Sequence, residues 1–393
     1  MPSSTAFQVT PITGQSFGAV VTLPSDLPNN DPSKLSEEDV LKLREALLTH
    51  SVLLIPNQEH LSPASQYQLT QKLDPSLPQG SNNYGHGKEF RHKDSVLQKD
   101  GCSIPNQPQV QVLGQGTWDF AGEDKELSIG EEGHYGLTNI TLTHPTHRTF
   151  HKDLLTEQEM DEGKKTRFYR WHIDSALYDL SPPLATTLLG IHVPEHDDTL
   201  TVEYTDGGDK LELTKGATCF VSGKEAFDRL SAEDKELALN TIVEYAPHPY
   251  IFISPAKATS DGLTMISEGK ENPLDKLPEW ETSKIKKLPM VWTNPVTGNH
   301  HLQAHGCCVY KLHRTNTGEV LELEEARKEL HRVMRPAIAS KNVYAHSWSK
   351  GDLVIFHNRG VWHSVTGQFK EGERRLMHQC NIASKVEPQC VKN

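Results

Sequence analysis

The chain has 393 residues, 35 % of them hydrophobic, with 27 glycines and 24 prolines, which suggests one sizeable core dressed in many loops. A formal net charge of −12 excludes the basic face that nucleic-acid binding requires. No apolar run reaches the ~18 residues that span a bilayer, and the opening MPSSTAFQVTPITGQ lacks the basic and apolar regions of a signal peptide. Six cysteines without a C-x₂-C pair fit reduced thiols, so the expected setting is the cytoplasm, with no membrane partner.

Residues 1–36 read as a hairpin followed by a Pro/Asn/Asp/Ser-rich loop. Ser36 then starts an amphipathic helix with Val40, Leu41, Leu43, Leu47 and Leu48 as its apolar stripe. A short buried strand follows over 51–55, and a second helix begins at Ser62-Pro63. Residues 76–106 are polar and irregular and suggest a surface insertion or lid. The alternation from Pro108 to Gly114 predicts a strand with Gln109 and Gln111 on one face. An acidic loop occupies 121–134, and 137–142 reads as a further strand.

Strand patterns continue over 168–174, 185–193, 200–213 and 216–222, split by turns at 194–198 and 206–209. The stretch 224–245 is the longest helical pattern. Residues 255–287 form a second polar insertion, 292–300 turn chemistry, and 319–334 a charged amphipathic helix. The last block, 346–382, reads as strand–turn–strand. Many short strands with few helices predict a mainly β chain with flanking helices (α+β). Its core is expected to be a double-stranded β-helix, or jelly roll, in a single domain over 1–393.

Two stretches carry chemistry. In Arg170-Trp171-His172-Ile173-Asp174 the histidine and aspartate stand two residues apart, which in a strand puts both on one face. Val361-Trp362-His363-Ser364 supplies a second imidazole. Two imidazoles and one carboxylate form the facial triad of non-haem Fe(II) oxygenases, leaving positions open for cosubstrate and O₂. Among 21 histidines such a pair arises by chance, so its company matters. Arg375 lies twelve residues past His363, on a strand where Arg375, Met377, Gln379 and Asn381 share one face. Its guanidinium fork suits the distal carboxylate of a 2-oxo acid chelated to iron. His144, His147 and His151, like His300, His301 and His305, have irregular loop spacing and read as solvated side chains.

Together with the helix and strand of 40–58, Ser181-Pro182-Pro183, Gly216-x-Thr218-x-Phe220, Lys350-Gly351-Asp352 and Asn358-Arg359, these residues resemble the taurine dioxygenase family over roughly 37–384. The resemblance implies Fe(II), 2-oxoglutarate as cosubstrate, and Thr218 helping Arg375 to hold it. Taurine-oxidising members carry a second arginine four residues after the first. Here Gln379 stands there, and an amide cannot neutralise a sulfonate. His357 stands where the family usually has aspartate. The pattern Arg375, Gln379, Asn381 is similar to the fungal xanthine dioxygenase branch, whose Gln and Asn on this strand serve the purine. Glutamines from an earlier strand join them in that branch, with Gln109 and Gln111 as the candidates here. Hydroxylation of xanthine to uric acid, with release of succinate and CO₂, is the implied reaction. A sulfonate or other small-acid dioxygenase stays open, as does a metal-binding barrel without catalysis.

Overall fold

The computed structural model describes residues 6–78, 81, 93–97, 101–120, 136–194 and 199–392. Part of the 76–106 stretch and all of the acidic 121–134 loop lie outside them. Helix α1 (Glu37–His50) starts at the expected cap: Ser36 Oγ accepts the Asp39 N–H, and three acidic residues follow in the first turn. Helix α2 (Pro63–Leu73) is capped likewise by Ser62. Among the described residues no helix is long and apolar enough to cross a membrane.

The strands that frame the interior are β1 (Gln8–Pro11), β2 (Ala19–Thr22), β3 (Val52–Ile55), β4 (Gly101–Ile104) and β5 (Gln107–Trp118). They continue with β6 (Ala185–His192), β7 (Thr218–Ser222), β8 (Tyr344–His346), β9 (Leu353–His357), β10 (Val361–Val365) and β11 (Arg375–Asn381). The large sheet runs β1-β2-β3-β9-β6-β11-β5-β4, and a small sheet runs β8-β7-β10. Period-two patterning divides the large sheet's side chains between its faces. Leu189, Ile355, Leu376 and Cys380 pack outward with Leu43, Leu47 and Leu69 of the two helices. Leu188, Val354, Phe356 and Met377 point inward to Phe220, Tyr344 and Val361 of the small sheet. Each such burial contributes about 1.5–3 kcal/mol, so the two sheets are held face to face around an interior.

Between β7 and β8 the chain builds a lobe from residues 223–343. The stretch 224–245 is not one helix. It divides into helices Gly223–Asp228 and Ala232–Leu239 and the strand Thr241–Tyr245. Ser231 caps a fresh helix by accepting the Asp234 N–H. The β-branched Thr241, Ile242 and Val243 pair with Val309–Arg314, where branched side chains pack well and a helix would crowd them.

Residues 168–174 are extended without forming a regular strand. They touch β10 and the residue after it through isolated bridges, His172 to His363 and Phe168 to Thr366. One extra residue lies on the 168–172 side, which makes a bulge. The Trp171 N–H leaves the ladder and donates to the Gly262 carbonyl at 2.9 Å. Gly262 has φ +71, and a Cβ there would come within 3.0 Å of the Phe168 and Tyr169 carbonyl oxygens. Residues 255–287 thus press a glycine directly onto the bulge.

The expectation of solvated histidines fails. His144, His147, His151, His301 and His305 are all buried, because a neutral imidazole needs little more than one acceptor for its N–H. Backbone carbonyls supply it: Tyr169 O lies 2.8 Å from His151 Nε2, and Thr366 O 3.2 Å from His144 Nε2. Burial holds His144 down to about 3 and His147, His151, His301 and His378 down to about 4. Each stays neutral when folded but takes a proton when unfolded. Stability is therefore fully present above the unfolded value of ~6.5 and lost as pH falls toward the folded values. The urea midpoint is expected to drop steeply from pH ~6.5 to ~4, with uptake of several protons on unfolding. A midpoint flat over that range would contradict the neutral, buried histidines.

Candidate active site

The bridge between His172 and His363 carries both reciprocal N–H···O bonds, each 2.9 Å, and sets the two rings 4.0 Å apart. Trp171 and Ile173, on either side of His172, are fully buried in the core, so His172 and Asp174 both turn inward. His172 Nε2 lies 3.8 Å and His363 Nε2 3.5 Å from Asp174 Oδ1. One ligand atom from each residue fits within 4.8 Å, and this is the one such group of three among the described residues.

Neighbouring groups prepare these atoms. His172 Nδ1 lies 2.9 Å from the Arg170 carbonyl. A carbonyl can only accept, so Nδ1 carries the proton and Nε2 keeps its lone pair. Burial holds both imidazoles below their ordinary pKa, hence neutral, as metal ligands must be. Asp174 Oδ2 accepts from Thr186 Oγ1 at 2.7 Å and Gln379 Nε2 at 3.3 Å, which turns Oδ1 to the imidazoles. Asn358, buried in the β9–β10 turn, clamps the Asp174 backbone from both sides. Its Oδ1 accepts the Asp174 N–H and its Nδ2 donates to the Asp174 carbonyl, both at 2.8 Å.

The triad opens onto a cavity between the sheets, the kind of concave setting in which small-molecule sites are built. Arg375 enters it from β11, only 3 % exposed. Its Nη1 lies 3.4 Å from His144 Nδ1, while Nε and Nη2 have no partner. Burial without a carboxylate pulls the guanidinium down to about 10. Thr218, opposite Val365 and two residues along β10 from His363, accepts the Trp348 Nε1–H at 3.0 Å. Its own hydroxyl proton is left to donate. A buried cation beside a hydroxyl donor is a ready carboxylate site.

Gln111 and Gln379 are cross-strand partners and both line the cavity. Asn381 and Gln109 do not. A two-residue step advances a strand by ~6.6 Å, which carries Asn381 past the cavity to a position opposite Thr186. Gln109 Oε1 instead accepts from Gln107 Nε2 at 2.5 Å. Arg170, Tyr169 and Tyr250 also line the cavity without a role read from sequence, and so does His144, whose loop spacing reads as solvated. Arg170 had a signal, a charge inside the aromatic run Phe168-Tyr169-Arg170-Trp171. His144 had none, since its loop spacing says nothing of burial.

Residues 123–381 match the family model described as taurine catabolism dioxygenase TauD, TfdA family. The chain is 46 % identical to the alpha-ketoglutarate-dependent xanthine dioxygenase xanA of Emericella nidulans, covering 98 % of both chains. It is 41 % identical to the xanthine dioxygenase xan1 of Schizosaccharomyces pombe, covering 95 % of this chain and 86 % of that one. Among solved structures, a putative alpha-ketoglutarate-dependent taurine dioxygenase from Burkholderia xenovorans shares the fold with TM-score 0.54 at 14 % identity, covering 98 % of this chain and 94 % of that one. The structure of AAD-2 with Mn(II) and N-oxalylglycine has TM-score 0.51 at 16 % identity, covering 98 % of this chain and 100 % of that one.

The hydrogen bond on Asp174 Oδ2 predicts a metal-affinity effect. Thr186→Val keeps the shape and removes the donor, so Mn(II) binding is expected to weaken about 10-fold or more. Calorimetric titration of the metal-free protein checks this, and unchanged affinity would show that Asp174 needs no outer partner.

Proposed function

Because the chain belongs to the taurine catabolism dioxygenase TauD, TfdA family, we propose that it is an Fe(II)- and 2-oxoglutarate-dependent dioxygenase that hydroxylates xanthine to uric acid, releasing succinate and CO₂. The observation that carries this reading is the joint arrangement of three convergent ligand atoms and an unpaired, buried Arg375 in one cavity. Full-length similarity to fungal xanthine dioxygenases supports the substrate. The two facing sheets support one catalytic domain on a double-stranded β-helix.

His172 Nε2, His363 Nε2 and Asp174 Oδ1 are the atoms that would hold Fe(II). Bound there, the metal supplies the redox chemistry that couples O₂ to 2-oxoglutarate decarboxylation and substrate hydroxylation. The chain's own contribution is orientation. Arg375 and Thr218 bind the distal carboxylate of 2-oxoglutarate, which relieves the cost of a buried cation without a counter-charge. Leu113, Leu188 and Met377 line the cavity with apolar surface and exclude water from it.

Gln111 and Gln379 present amides, which both donate and accept, to the alternating N–H and C=O edge of the purine. A pocket built on such pairs rejects analogues that lack them. Gln379 does double duty through its bond to Asp174 Oδ2, so it links substrate edge to metal ligand. Asn381 and Gln109 are assigned no direct contact, because neither lines the cavity.

The test is oxygen uptake with Fe(II) and 2-oxoglutarate, comparing xanthine with taurine and following urate absorbance. Urate formation strictly dependent on 2-oxoglutarate is expected. Uptake with taurine and none with xanthine would discard the purine assignment and keep the iron site. Arg375→Met should raise the KM for 2-oxoglutarate about 100-fold, the scale for removing one partner of a buried charge pair. A KM within a factor of a few of wild type would remove Arg375 from the cosubstrate site.

A further inference from the structure

Arg375 is not the only cation in the cavity without an acid. Arg170 lines the same space and is 3 % exposed. Its Nε and Nη1 are buried with no hydrogen-bond partner, and no carboxylate of the described residues forms a salt bridge with it. Its guanidinium carbon lies 5.1 Å from the Tyr250 ring, 5.5 Å from Tyr169 and 5.9 Å from Phe150. Cation–π attraction offsets part of the cost of desolvating a guanidinium, but three rings satisfy none of its N–H donors.

Among the described residues no neighbour supplies the missing charge. Burial pushes the Cys307 thiol up to about 12 and the Cys308 thiol higher still, so both stay neutral. Tyr250 remains a phenol and donates its proton to the Ser175 carbonyl at 2.8 Å. The backbone is also spent on this side chain. The bulge between Phe168 and His172 breaks the ladder beside Arg170, whose own N–H turns to Ser364 Oγ at 3.2 Å. Bulges next to active sites re-aim a side chain in this way. A single 2-oxo acid does not use both arginines, since one end chelates at the triad and the other meets Arg375.

Resting on the reading of the substrate as an oxopurine, we propose that Arg170 takes a negatively charged oxygen of that purine, which therefore binds as its monoanion. A ring N–H beside a carbonyl gives its proton to solvent, and the charge spreads onto the oxygen facing the guanidinium. Gln111 and Gln379 then serve the remaining polar edge, and Arg170 selects for oxopurines able to carry that charge.

The experiment is calorimetric titration of xanthine into the anaerobic protein loaded with Fe(II) and 2-oxoglutarate, in two buffers of different ionisation heat. The pH is set below the purine's own ionisation. About one proton released per purine bound is expected for the wild type. Arg170→Gln should abolish the release and weaken xanthine binding about 10- to 100-fold, the scale of a hydrogen bond to a charged group. Binding of 2-oxoglutarate, titrated separately, should stay within about twofold, which a general loss of structure would not allow. Arg170→Lys keeps the charge and should keep the release. Should the glutamine variant not fold, the two-buffer measurement on the wild type decides alone. Xanthine binding without proton release, or an Arg170→Gln variant that binds xanthine like wild type, overturns the assignment. No xanthine binding by a protein that does bind 2-oxoglutarate overturns the substrate reading itself, and this assignment with it.

Discussion

The bridge between His172 and His363 joins two stretches far apart in sequence through a reciprocal pair of backbone hydrogen bonds. Everything chemical in the cavity is measured from it. Because the two residues lie directly opposite each other, their side chains leave the backbone on the same side. Asp174 follows two residues on, beside the same opening. Side-chain entropy then has little left to spread over, since Thr186, Gln379 and Asn358 hold the carboxylate and its backbone. Such restraints preorganise the three candidate ligand atoms.

Around the bridge the protein carries uncompensated charge. A buried guanidinium without a counter-ion is costly, and among the described residues neither Arg375 nor Arg170 has an acidic partner, while each keeps two donors unbonded. Apolar residues at either position would relieve that cost. Their presence ties stability to occupancy: an anionic ligand that binds the folded state stabilises it in proportion to its affinity and concentration. The cluster of buried neutral histidines adds a second liability, felt in acid. The arginines spend folding stability at the site itself, as expected where chemistry rather than packing sets the residue types, whereas of these histidines only His144 lines the cavity.

The lobe of residues 223–343 has a structural link to this chemistry. Through Gly262 it presses on the bulge beneath Arg170, and through Gln303 it reaches the β9–β10 turn, donating to the carbonyls of Asn358 and Val361. These contacts join the lobe to both segments that carry the triad.

Much of this was legible in the chain. Helix caps at Ser36 and Ser62, the alternating strands and the H-x-D spacing all rest on local periodicity, which sequence expresses directly. Periodicity places His172 and Asp174 on one face and Arg375, Gln379 and Asn381 on another, whereas Thr218 and the roles of Gln111 and Gln379 follow only from the family resemblance. Other features depend on what lies across space. Periodicity could not reveal that the 224–245 helical pattern breaks where a partner strand arrives, or that Asn381 and Gln109 run past the cavity. The burial of the loop histidines is set by carbonyls that distant segments bring to them. The orphaned state of Arg170 is likewise the lack of an acidic partner among the described residues, and no single stretch of sequence encodes such a lack. Sequence alone determined which groups could do chemistry and which strands carry them. Tertiary structure decided which of them share a cavity and which charges there lack a partner, because burial and pairing are properties of the assembled neighbourhood.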